Sequence, residues 1–268
     1  MVRSQIGDPC SARPTLGRVW AVTEPSQQPV RAPRVQREVT SFVRRSTRMR
    51  PVHLRAWERL WHAYVLEVPQ QAISTSIAPG HPLDIAAAFG RTAPLVVEIG
   101  PGTGESLVAM AAARPEIDVL AFEVYLPGVA RTVNRLHETG VANVRLLQSD
   151  AVDGLRHLLG PGSVEEIWTF FPDPWPKVRH HKRRLVDRAF ADLVASRVRS
   201  GGSWRLATDW SDYAQQMRAV LDAHPQLVNE GAAADGWAER CPDRPLTRFE
   251  QRGLEAGRTV RDLHYRRR

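Results

Sequence analysis

Leu95-Val-Val-Glu-Ile-Gly-Pro-Gly-Thr-Gly104 decides the fold. A short apolar run of strand character enters a turn with glycine at alternate positions, and an alanine-rich helical segment follows directly. Gly100, Gly102 and Gly104 let the backbone turn sharply and approach a ligand closely. Outward from this unit the alternation repeats. Strand-like runs at 95–99, 119–123, 144–148, 166–171 and 203–208 are each followed by a helical stretch, and a last strand-like run covers 259–265. Such alternation predicts an α/β fold, a doubly wound Rossmann-like sheet that is mostly parallel, with an antiparallel C-terminal strand. In such sheets ligands bind outside the carboxyl ends of the strands, so strand-end residues are the candidates for chemistry.

A glycine-rich turn by itself is shared by dehydrogenases and many other nucleotide binders. Glu98 sharpens the reading, because an acid inside the strand suits a ligand carrying an amine and would repel a pyrophosphate. At the second strand end, Glu123 can accept from both hydroxyls of a ribose, a device that NAD enzymes also use. At the third, Asp150 can accept from an adenine amino group. Three acids at three successive strand ends match an uncharged adenosine joined to a cationic methionine better than NAD. The expected cofactor is S-adenosylmethionine.

Beyond the fourth strand runs Phe170-Phe-Pro-Asp-Pro-Trp-Pro-Lys-Val-Arg-His-His-Lys-Arg-Arg184. Pro172, Pro174 and Pro176 restrict the backbone and fix Asp173 and Trp175 in place. Arg179, His180, His181, Lys182, Arg183 and Arg184 follow at once, and both lysines of the chain, Lys177 and Lys182, fall in this segment. Cations gathered beside a ligand-binding edge are read as phosphate contacts. The bland alternative is a solvated helix face.

The chain has 268 residues, 43% of them hydrophobic, enough for one α/β domain with a sizeable core. Its net charge of +8 is uneven, since residues 1–50 carry a net +7. Residues 1–45, rich in proline and arginine, read as a disordered basic arm that either gathers RNA or is dispensable. Residues 46–268 read as the catalytic domain, opening with a helix over 54–68 of apolar period. Cys10 and Cys241 lie far apart and form neither a disulfide framework nor a metal site. No membrane span or secretory apolar core is evident, so a cytoplasmic location without membrane or metal partners is expected. Monomer and homodimer are not distinguished.

The Phe171–Lys177 and Arg179–Arg184 motifs together resemble the signature of the bacterial tRNA (guanine-N7)-methyltransferases, within the S-adenosylmethionine-dependent class. The resemblance extends through Glu98–Gly104, Glu123, Ser149-Asp150-Ala151, Ala207-Thr-Asp-Trp210 with Tyr213, and Thr247-Arg-Phe-Glu250, in order over residues 50–268. It implies that Glu98, Glu123, Asp150 and Asp173 line the cofactor and reaction site, beside Gly100, Gly102 and Gly104 of the turn; Asp173 is expected to be catalytic by accepting from the guanine's amino edge, or else to cap the Pro-Asp-Pro turn. It also implies that Lys177, Asp209, Thr247, Arg248, Phe249 and Glu250 contact substrate, that Arg179–Arg184 contact RNA, and that the target is the variable-loop guanine, position 46 of tRNA. Tyr125 departs from the histidine expected there. The alternatives are an RNA-binding protein with a non-catalytic methyltransferase fold, a methyltransferase of another substrate class, and more remotely a dehydrogenase.

Overall fold

The computed structural model describes residues 51–71, 75–231 and 235–268, so the arm expected over 1–45 lies outside the described residues. Seven strands form one sheet in the order β3-β2-β1-β4-β5-β7-β6. β1 (Leu95–Ile99), β2 (Asp118–Phe122), β3 (Val144–Leu147), β4 (Val164–Phe170) and β5 (Val198–Thr208) pair in parallel, while β7 (Arg261–Arg267) runs antiparallel between β5 and β6 (Leu227–Asn229). The apolar strand runs are explained by burial on both faces: every residue of β1 and of β2 is buried.

Two apolar layers cover the sheet. On one face, α3 (Glu105–Ala113) and α4 (Leu126–Thr139) pack with α1 (Pro51–Tyr64), whose Trp57, Leu60, Trp61 and Tyr64 rest against that layer. On the other, α5 (Ala151–His157), α6 (Arg188–Arg197) and α7 (Ser211–Asp222) pack with α2 (Ile85–Phe89). The faces follow from right-handed crossovers, which put the β1-to-β3 helices on one side and the helices after β3 on the other. Trp204 of β5 lies in the second layer and donates its indole N–H to Thr169 Oγ1 of β4 at 3.0 Å, so its bulk is buried without stranding a donor.

Helix ends are capped by side chains where the sequence supplies an acid or hydroxyl. Asp84, Asp150, Asp187 and Thr247 accept backbone N–H groups at the starts of α2, α5, α6 and α8 (Arg248–Glu255). The helix expected over 54–68 begins earlier and ends at Tyr64, after which Val65 bridges to Leu146 of β3. β5 begins five residues before the expected 203, and β6 is too short at three residues to announce itself by alternation.

Candidate active site

The strand order places β3, β2 and β1 side by side, so Asp150, Glu123 and Glu98 follow one another along the carboxyl edge of the sheet. Glu98 is 3% exposed, and its Oε2 has no hydrogen-bond partner among the described residues. Burial, and secondarily the nearby Glu123, push its carboxyl up to about 8. A buried acceptor without a donor is costly, and none of the described residues supplies one here.

The turn after β1 is held by Glu123. Its Oε2 accepts from Gly102 N at 2.9 Å and its Oε1 from Tyr125 N at 2.8 Å. Burial raises its carboxyl, these backbone bonds oppose the rise, and the charge of Asp173 adds to it. A carboxylate has about four acceptor positions, so two backbone donors leave capacity for a ligand's hydroxyls. Gly104 has a φ of 73°, and a Cβ there would meet Thr132 Oγ1 of α4 at 2.5 Å. Gly128, not singled out in the sequence, is equally constrained: a Cβ there would lie 2.4 Å from the Gly102 carbonyl oxygen. α4 thus closes on the turn through two glycines.

Asp150 is 5% exposed and its Oδ1 accepts from Val152 N and Asp153 N, so one oxygen of the expected adenine acceptor caps α5. Asp173 is exposed and close enough to Glu123 to raise its carboxyl, which brings the β4 end to the β2 end. Before it, Phe171 has a φ of 51°, and Trp175 has 46°. A left-handed backbone at a bulky residue costs of order 1–2 kcal/mol and persists only when its surroundings impose it. The guanidinium of Arg244 lies 5.1 Å from the ring centres of both Phe170 and Phe171, and Phe249 approaches Phe171 at 5.3 Å.

A cleft of about 1490 Å³ opens beside these parts, and Glu123, Asp150 and Asp173 are not among the residues that line it. Glu98, Gly100 and Gly102 line it together with Phe170, Phe171, Thr247, Arg248 and Phe249. The basic segment forms a 3-10 helix over Val178–Arg183, with Lys177 preceding it. Lys177, Arg179, Lys182 and Arg183 are exposed, and Arg183 stacks on Trp175 at 5.0 Å. His180 is half-buried at the edge of the Trp175 ring, and His181 lies 3.0 Å from Arg184.

Two residues expected to contact RNA or substrate lie buried among protein partners. Arg184, grouped with the RNA contacts, is 5% exposed and turned inward: it donates to both oxygens of Asp212 at 2.9 Å, to Gln216 and to the Pro174 carbonyl, and it stacks on Tyr213. It ties the proline loop to α7. Glu250, expected to contact substrate, is 2% exposed, lies outside the cleft wall and pairs with Arg240 at 2.9 Å and Arg244 at 3.5 Å. Its backbone N–H donates to Thr247 Oγ1, the first half of a capping arrangement. Asp209 is held by Arg258 at 2.7 Å, a partner that sequence reading did not find. Trp210 is half-buried and packs on the core.

Among the described residues no helix is long and apolar enough to cross a membrane, and no group of three or more His, Cys, Asp or Glu is placed to hold a metal.

A Rossmann-type sheet with a glycine turn over an unsatisfied buried carboxylate, opening into one cleft, defines a methyltransferase. A family model described as "Putative methyltransferase" matches residues 92–263. The tRNA (guanine-N(7)-)-methyltransferase of Cutibacterium acnes is 56% identical over 87% of this chain and 85% of its own length. The enzymes of that name from a Nocardioides species and from Alkalilimnicola ehrlichii are 52% and 45% identical, over 88% and 87% of this chain and 90% and 94% of their own lengths. The chain belongs to the tRNA (guanine-N(7)-)-methyltransferase family.

Proposed function

We propose that this protein transfers the methyl group of S-adenosylmethionine to N7 of the variable-loop guanine at position 46 of tRNA, giving 7-methylguanosine, and that it works in the cytoplasm. The observation that carries the reading is the cleft itself: the orphaned Glu98 carboxylate and the glycine turn open onto Phe170 and Phe171, which lead directly to Asp173. When bound, S-adenosylmethionine supplies a methyl carbon made electrophilic by its sulfonium.

The residues present fit that cofactor. Glu98 accepts from the ammonium of the methionine part, Glu123 keeps acceptor capacity for the ribose, and the turn approaches closely because Gly104 and Gly128 carry no side chain. Guanine N7 has an in-plane lone pair and no hydrogen, so the protein need not remove a proton. Its contribution is alignment and charge. Asp173, exposed at the loop and without a hydrogen bond among the described residues, accepts from the amino edge of the guanine and stabilises the positive charge that methylation leaves on the ring. Arg258 fixes the Asp209 carboxylate at the neighbouring strand end, where it orients the base.

The test is to incubate the protein with methyl-labelled cofactor and a tRNA transcript, then cleave by reduction and aniline. Label and cleavage at the variable-loop guanine are expected, and label at any other nucleotide would refute the site. Asp173→Ala is expected to lower turnover by at least 100-fold, of the order of one lost electrostatic or positioning group, while cofactor affinity changes little.

A further inference from the structure

Two pairs of arginines face the cleft from different helices. Arg131 and Arg135 lie one turn apart on α4, and Arg248 and Arg252 lie one turn apart on α8. Arg59 of α1 adds a fifth cation to the same wall. Arg59, Arg131, Arg248 and Arg252 are exposed and Arg135 is half-buried. Like charges one helical turn apart repel by about 0.2–0.5 kcal/mol per pair. Several arginines elsewhere are answered by carboxylates: Arg91, Arg114, Arg199, Arg218, Arg258 and Arg266 form ion pairs. Among the described residues none of the five cleft arginines does, although Glu105, Glu138 and Glu255 share the wall. Glu105 instead accepts from Arg248 N, and Glu255 accepts from Gln251.

The position of this group separates it from the basic loop. The 3-10 helix Val178–Arg183 is anchored through Arg184 to α7, on the sheet face covered by α5, α6 and α7. The five arginines stand over the other face, where α1 packs on α4 and α8 leans on α3 through the Arg248–Glu105 bond. The carboxyl ends of β1 and β4, with Glu98 and Phe171, run between the two groups. Phe249, 47% exposed, adds an uncovered aromatic ring to the cleft wall.

We propose that Arg59, Arg131, Arg135, Arg248 and Arg252 form a second phosphate-binding surface, which holds a stretch of tRNA backbone on the far side of the cleft from the basic loop. The inference rests on the proposed tRNA substrate. A polyanion satisfies both pairs at once. The two surfaces straddle the strand ends. They hold the RNA on both sides of the guanine and limit the directions from which the base can enter.

The test is the salt dependence of binding an unmodified tRNA transcript, read by fluorescence anisotropy, for the full chain and for the double variant Arg131→Ala/Arg135→Ala. Both changes keep α4 in a strong helix former. The expected result is affinity at least tenfold weaker and a log–log salt slope shallower by about 1.5, from roughly 0.7–0.9 per lost phosphate contact. Cofactor affinity by calorimetry is expected to stay as in the parent. Arg199→Ala, an exposed residue paired with Glu165 near the start of β5, serves as control and should change neither quantity. An unchanged salt slope in the double variant, an equal effect in the control, or a matching loss of cofactor affinity would each overturn the surface. If the parent protein binds the transcript without methylating it, the proposed function fails while the surface stands; if the parent does not bind tRNA at all, both fail.

Discussion

Glu98→Gln removes an ionisable group from the end of the cleft proposed for the cofactor while keeping the volume of the side chain. With its carboxyl pushed up to about 8, Glu98 is protonated in about nine-tenths of molecules at pH 7. A cationic ligand selects the ionised form, so binding S-adenosylmethionine at pH 7 is expected to release about 0.9 proton from this group. The assay is titration calorimetry in two buffers of different ionisation enthalpy, which separates proton release from intrinsic heat. Wild-type affinity is expected to improve about fivefold between pH 7 and 8 as the ionised share rises, then level off. The ligand's own amine titrates identically against both proteins and cancels in the comparison. Glu98→Gln should show neither the release nor the pH dependence. The sign for folding is also fixed. A carboxyl raised in the folded state leaves that state holding a proton which the unfolded chain has lost between pH 4.5 and 8. Stability is then fully present below pH 4.5 and declines as pH rises through about 8, by roughly 3 kcal/mol at pH 7. The free Gln variant should accordingly melt higher than wild type at pH 8 and show less difference at pH 5. Equal proton release from the two proteins would refute the reasoning.

Two more outcomes separate neighbours of the same chemical type. Arg184→Met should cost about 2–4 kcal/mol in chemical denaturation, since it strips four hydrogen bonds from a buried guanidinium, yet leave the salt slope of tRNA binding unchanged. Arg183→Ala should do the reverse, reducing the slope with no change in melting temperature, because its side chain is exposed. Glu250→Gln should lower stability by about 3 kcal/mol by uncovering part of the charge on fully buried Arg244, with the denaturant slope unchanged. Normal stability with a raised KM for tRNA would instead make Glu250 a direct substrate ligand.

The sheet was legible because β1 to β4 are short, apolar and separated by helical stretches with strong periodicity. β1 matches its expected bounds fully, and β2, β3 and β4 shift by one or two residues. β7 was legible as a strand, but its place between β5 and β6 was not, since nothing local specifies which strands flank it. Charge type was equally silent on orientation. Arg183 and Arg184 are consecutive and identical, and only the turn geometry after Pro176 sends one outward and the other under the loop. Thr247 and Glu250 carry the T-x-x-E spacing of a helix start, a physical signal that explains their positions without a substrate. Arg258 and Arg244 had no such signal. Their partners Asp209 and Asp262 are 49 and 18 residues away, and contacts at that separation are set by the fold.

The position of β7 has a consequence for synthesis. It is the later-made neighbour of both β5 and β6, and it carries Asp262, which holds buried Arg244 beneath Phe170 and Phe171. While the chain emerges from the ribosome, β6 has no partner in the sheet, and the loop carrying Asp173 lacks the cation beneath it until β7 follows. A nascent chain therefore cannot complete the support beneath Phe170 and Phe171 until β7 has been made.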